Sequence, residues 1–88
     1  MVRAFPPMAT TEQDKRFFAQ VGRRVRARRK DNGKTLQELA DESGVTKQMI
    51  SLVELGEVDI SIRKLARICK ALHCSLADFF EPGRERAA

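Results

Sequence analysis

The sequence predicts an all-α fold of five helices, and three observations carry that expectation. Apolar residues recur at spacings of three and four, and nowhere in the alternation of a strand. Ser or Thr stands at the head of successive periodic stretches, where a helix cap belongs. Gly or an Asn-Gly pair closes three of them, where the chain has to leave the helical conformation. The 88-residue length leaves room for one domain with one modest core, and connections of a few residues make the bundle compact.

Residues 1–10, with Phe5, Pro6, Pro7 and Met8, show no helical period and are expected to form a flexible arm. From Thr11 the pattern is helical, with Phe18, Val21 and Val25 on one stripe until Asn32 and Gly33 stop it. Thr35 followed by Glu38 is a capping box that opens a second helix, which buries Leu36, Leu39 and Ala40 and ends at Ser43 and Gly44. Thr46 caps a third helix, from Lys47 to about Leu55, closed by Gly56. Ser61 caps a fourth, in which Ile62, Leu65, Ala66, Ile68, Cys69 and Leu72 fill one arc and Arg63, Lys64, Arg67 and Lys70 lie outside it. Ser75 and Asp78 open a last short helix through Phe79 and Phe80, ended by Pro82 and Gly83. The domain is therefore expected over residues 11–81, with a flexible tail over 82–88.

The charge is uneven. Of a net +5, residues 1–50 carry eleven Lys and Arg against six acids, while residues 51–88 carry six of each, so the excess lies wholly in the first part. That distribution suits a protein laying one basic face on a polyanion. The basic stretch lacks the bulky apolar face of a membrane-surface helix, and no run of about 18 apolar residues exists to cross a bilayer. The first eight residues are too short and too poor in apolar side chains for a signal peptide, so a cytoplasmic chain with reduced thiols is expected.

Only the turn Ser43-Gly44-Val45-Thr46 separates the second and third helices, the connection expected of a DNA-reading helix pair. On a wheel of 100° per residue, Met49, Ile50, Val53 and Glu54 share one arc of the third helix, and Lys47, Gln48, Ser51, Leu52 and Leu55 share the other. Lys47, Gln48 and Ser51 lie near the N-terminal end that enters a major groove. Lys47 can donate to guanine O6 and N7, Gln48 can bond adenine through two atoms, and Leu52 can pack on a thymine methyl. Arg24 and Arg26 lie off the apolar stripe of the first helix and are candidates for phosphate contacts, as are the Thr35 and Thr46 hydroxyls and Gln37. Arg29 falls on that stripe, where its charge needs a partner; Glu54, at the edge of the buried arc, is the expected one.

The stretches Gly33-Lys34-Thr35-Leu36-Gln37-Glu38-Leu39-Ala40, Ser43 to Ser51, Val53-Glu54-Leu55-Gly56 and Ala71 to Phe80 resemble the phage-repressor-like helix-turn-helix family, that of lambda repressor, Cro and XRE. The resemblance covers about residues 20–80. It implies a compact five-helix lambda-repressor-like domain, a homodimer on a palindromic operator, and base reading from the start of the third helix. Matching positions in the family are often Arg and Glu at Arg29 and Glu54. Five positions depart from the pattern. Leu36 stands where a phosphate-bonding Gln is common, with Gln37 after it. Glu57 and Asp59 occupy a loop that is often basic, Leu55 replaces a polar residue, and His73 stands where Gly usually ends the fourth helix.

Metal binding fails on ligand count: Cys69, His73 and Cys74 are close in sequence, but the chain holds no other Cys or His and a structural zinc site needs four ligands. No phosphate-binding Gly loop and no nucleophile motif around the one His appear, so neither an enzyme nor a cofactor is expected. The expected function is that of a dimeric DNA-binding transcriptional regulator, a repressor or controller, with Leu76, Phe79 and Phe80 forming the dimer surface. The alternative is an antitoxin whose main partner is a toxin protein; a protein partner, toxin or RNA polymerase, stays open in either case.

Overall fold

The computed structural model describes residues 10–80; the expected N-terminal arm apart from Thr10, and the expected tail over 82–88, lie outside the described residues. The chain forms α1 (Glu12–Asp31), α2 (Leu36–Ser43), α3 (Lys47–Glu54), α4 (Ile62–Ala71) and α5 (Leu76–Phe80), with no strand among the described residues. Side-chain oxygens set the helix starts. Thr35, Thr46 and Ser61 accept from the backbone N–H three residues on, at 3.0, 3.1 and 3.2 Å, and Glu38 returns the bond to Thr35. Thr11 and Asp14 form a second capping box that heads α1, visible in the sequence as the same spacing but not read there.

α1 packs on α3, α2 on α3 and α4, and α4 on α5. Val25, Leu39, Ile50, Val53, Ile68, Leu72 and Phe79 meet in one core, each with 2% or less of its surface exposed, and join all five helices. Two sequence assignments change. Ile62, placed on the buried arc of α4, is 76% exposed, because it occupies the first position of the helix before the core is reached. Phe79, assigned to a dimer surface, is fully buried, because the short α5 turns that ring inward and leaves Phe80 at the surface. Phe79 is thus a core residue and unavailable to a partner.

The end of α4 is a Schellman motif. The N–H of His73 bonds the Lys70 carbonyl, the N–H of Cys74 bonds the Cys69 carbonyl at 3.0 Å, and His73 itself takes the left-handed conformation, φ 62°.

Candidate nucleic-acid interface

The turn between α2 and α3 is built from a left-handed glycine and two buried residues. Gly44, φ 75°, caps α2 by donating to the Ala40 carbonyl. Val45 is buried, and so is Ser43, whose Oγ accepts from the Val45 N–H at 3.2 Å. These contacts set the direction in which α3 leaves the turn. Ile50 and Val53 then bury one side of α3, so Lys47, Gln48 and Leu52 are exposed on the other and Ser51 is half-buried. None of these four side chains is hydrogen-bonded to another described residue.

α3 is clamped from behind. Arg29 Nε donates to Glu54 Oε2 at 2.7 Å, Nη2 to Oε1 at 3.0 Å, and Nη1 to the Lys34 carbonyl at 2.9 Å. Both side chains are nearly removed from solvent, 10% and 5% exposed, so the fork and the carboxylate satisfy one another where water cannot. The Glu54 hydrogen bonds hold the Arg29 pKa above its usual value against the opposing effect of burial. Two turns earlier, α1 presents Gly22 to the end of α3. A Cβ there would lie 2.2 Å from the Val53 carbonyl oxygen and 2.7 Å from that of Glu54, so only glycine allows this approach. The sequence signal for it was a lone glycine inside a helical pattern.

The phosphate candidates divide. Thr35 and Thr46 are exposed, and each uses an oxygen lone pair to cap its helix, which leaves the hydroxyl hydrogen to donate outward. Gln37 is exposed in the first turn of α2, with its amide donating to Asp41 Oδ1 at 2.9 Å. Arg26 is exposed, about 40° around α1 from Gly22, beside the α3 contact. Arg24 lies about 200° from Gly22, on the far side of the helix. Its guanidinium is half-buried and donates to the Phe79 carbonyl, joining α1 to α5, so the expectation that Arg24 meets DNA is withdrawn. Lys34, not singled out from the sequence, pairs with Glu42 and donates to the Ala71 carbonyl at 2.7 Å, joining α2 to α4.

Between α1, α4 and α5, and reaching Val53 at the end of α3, lies an apolar groove of about 560 Å³, with Phe17, Val21, Ile60, Leu65, Leu76 and Phe80 among its walls. Phe17 and Phe80 stack across its edge, ring centres 6.2 Å apart and planes within 5°, and remain 51% and 41% exposed. Among the described residues no group of three or more His, Cys, Asp or Glu is placed to hold a metal ion, and no helix is long and apolar enough to cross a membrane.

A helix-turn-helix family profile matches residues 25–79. The chain is 42% identical over 60 residues to the competence pilus inhibition repressor of Acinetobacter baylyi, a match covering 68% of this chain and 54% of that protein. It is 42% identical over 53 residues to YopS of Bacillus subtilis, a prophage-derived uncharacterized HTH-type transcriptional regulator, covering 59% of this chain and 72% of that protein. The chain thus spans about half the length of the first of these relatives. Among solved structures, the clp gene regulator ClgR of Corynebacterium glutamicum is similar with a TM-score of 0.68 at 39% identity, over 70% of this chain and 66% of that one. An HTH_3-family transcriptional regulator of Vibrio cholerae gives a TM-score of 0.74 at 30% identity, over 83% of this chain and 41% of that one.

Proposed function

The chain belongs to the helix-turn-helix family, whose members are DNA-binding transcriptional regulators and not enzymes, and from that premise we propose that it reads a palindromic operator as a homodimer with the first turn of α3 in the major groove. The observation that carries the proposal is the presentation of α3: exposed Lys47 and Gln48 on a short helix that Ile50, Val53 and the Arg29–Glu54 pair hold from behind. Such a rigid support is what base reading requires, since a bidentate contact tolerates little misplacement. Lys47 donates to a guanine edge, Gln48 pairs with adenine, Ser51 bonds either base and Leu52 meets a thymine methyl. Thr35, Thr46, Gln37 and Arg26 position the domain on the phosphates, in the cytoplasm where the DNA is.

A second copy covers the face that bears the apolar groove. Phe17, Ile62 and Phe80 project from that face while Leu76 lines its hollow, so one surface offers both protrusion and recess, as a two-fold interface needs. The two half-sites lie about 10 base pairs apart. The antitoxin alternative rests on Leu55, 65% exposed beside α3 and not used in base reading.

The decisive experiment first selects a preferred site from a random duplex pool, then titrates Lys47→Ala and Gln48→Ala on that site and on a scrambled duplex at several salt concentrations. Gln48→Ala should cost roughly 1 to 3 kcal/mol on the preferred site and leave scrambled binding nearly unchanged. If both variants keep the wild-type preference, α3 is not the reading helix. Sedimentation giving a monomer at tens of micromolar, free and on DNA, would remove the homodimer.

A further inference from the structure

The chain holds two cysteines, and the fold brings them together at the joint between α4 and α5. Cys69 is the third residue from the end of α4, and Cys74 is the second residue past its cap. In a Schellman motif those two positions are the ones whose side chains meet over the 6→1 hydrogen bond, usually as an apolar contact. Here that bond is Cys74 N–H to the Cys69 carbonyl at 3.0 Å, which sets the two cysteine side chains beside one another. Cys69 is 1% exposed and Cys74 is half-buried, so an oxidant reaches the second and not the first.

We propose that Cys69 and Cys74 are a reversible disulfide site, with Cys74 the thiol that meets a hydroperoxide and Cys69 the one that resolves it. In the first step the Cys74 sulfur attacks the peroxide oxygen, the O–O bond breaks, and Cys74 sulfenic acid and an alcohol (water, from hydrogen peroxide) result. In the second the Cys69 sulfur displaces the sulfenic hydroxyl, which leaves as water with the Cys69 proton, and the S–S bond forms. Each sulfur gives up one electron and the peroxide takes both. The division of labour follows from burial. The Cys69 thiol is pushed up to about 12 by desolvation and by the neighbouring Cys74, so it stays protonated at neutral pH and does not itself attack an oxidant in solution. The bond closes the joint that orients α5, and with it Phe79 in the core and Phe80 on the edge of the apolar groove.

The test uses the purified full chain and hydrogen peroxide, followed by alkylation, digestion with trypsin and mass spectrometry. Cleavage after Arg67, Lys70 and Arg84 places the two cysteines on separate peptides, residues 68–70 and 71–84, so a pair within one chain appears as these two peptides joined and about 2 Da lighter than their sum. The expected result is loss of both thiols together, monomeric migration on a non-reducing gel, and full recovery with a reductant. In glutathione buffers the native chain should favour the disulfide by roughly tenfold or more over the same chain in urea, because the turn already holds the thiols together. The Cys69→Ala variant, expected to fold with one small buried gap, should leave Cys74 as a trappable sulfenic acid. Two alkylated thiols after peroxide, a Cys74–Cys74 link between chains, a sulfinic acid on Cys74 beside an intact Cys69, or no difference between native chain and urea would each overturn the proposal.

Discussion

The two sides of α1 are packed in opposite ways. Towards α3 the contact is closed: Gly22 meets backbone oxygens with no room for a methyl group, and Arg29 holds Glu54 with a two-bonded fork. Towards α5 it is open, with a groove of about 560 Å³ edged by Phe17 and Phe80, and Arg24 and Arg28 donate to the Phe79 and Asp78 carbonyls of α5. The closed side fixes α3 closely against α1, the rigid support that the base reading proposed for α3 requires. On the open side apolar surface stays available for the second copy proposed to cover it.

The largest effect that sharpens this contrast is expected at Gly22. Gly22→Ala sets a methyl against the Val53 carbonyl, which cannot move without shifting α3, and should destabilise the chain by about 4 kcal/mol or more, the range reserved for severe core lesions. Urea unfolding checks it, and a loss under about 1 kcal/mol would mean that the closed side can yield. Glu54→Ala comes next. It leaves Arg29 buried without its carboxylate and should cost about 3 to 5 kcal/mol, whereas replacing both partners by apolar residues should cost little. A Glu54→Ala midpoint close to wild type would contradict the clamp.

On the open side, Phe79→Ala and Phe80→Ala separate core from surface. Phe79→Ala should cost about 3 to 5 kcal/mol by emptying the core. Phe80→Ala should cost about 1 kcal/mol or less in the monomer while shifting sedimentation towards monomer. Equal losses of stability would remove the distinction. The smallest effect concerns DNA: Arg26→Ala should weaken all sequences alike and lower the log-log salt slope by about one unit. Arg24→Ala should leave that slope unchanged, since Arg24 points to α5; salt titrations of both variants decide it.

Much of the local architecture was legible in the residues themselves, because caps, glycine stops and apolar spacing act within a single helical turn. Thr35 with Glu38, Thr46, Ser61 and Gly44 define their helix ends through bonds spanning three or four residues, and the two faces of α3 follow from its period. The pairing of Arg29 with Glu54 could be anticipated because a charge on an apolar stripe needs an opposite charge wherever the chain can supply one. What only the tertiary structure decided depends on how helices cross. Which aromatic of the Phe79-Phe80 pair turns inward, which arginines of α1 bond α5, and how near α1 comes to α3 at Gly22 are set by contacts between residues 25 to 55 positions apart. Over such separations the preference of one turn says nothing, and close packing of whole helices selects among arrangements that the local pattern leaves equivalent.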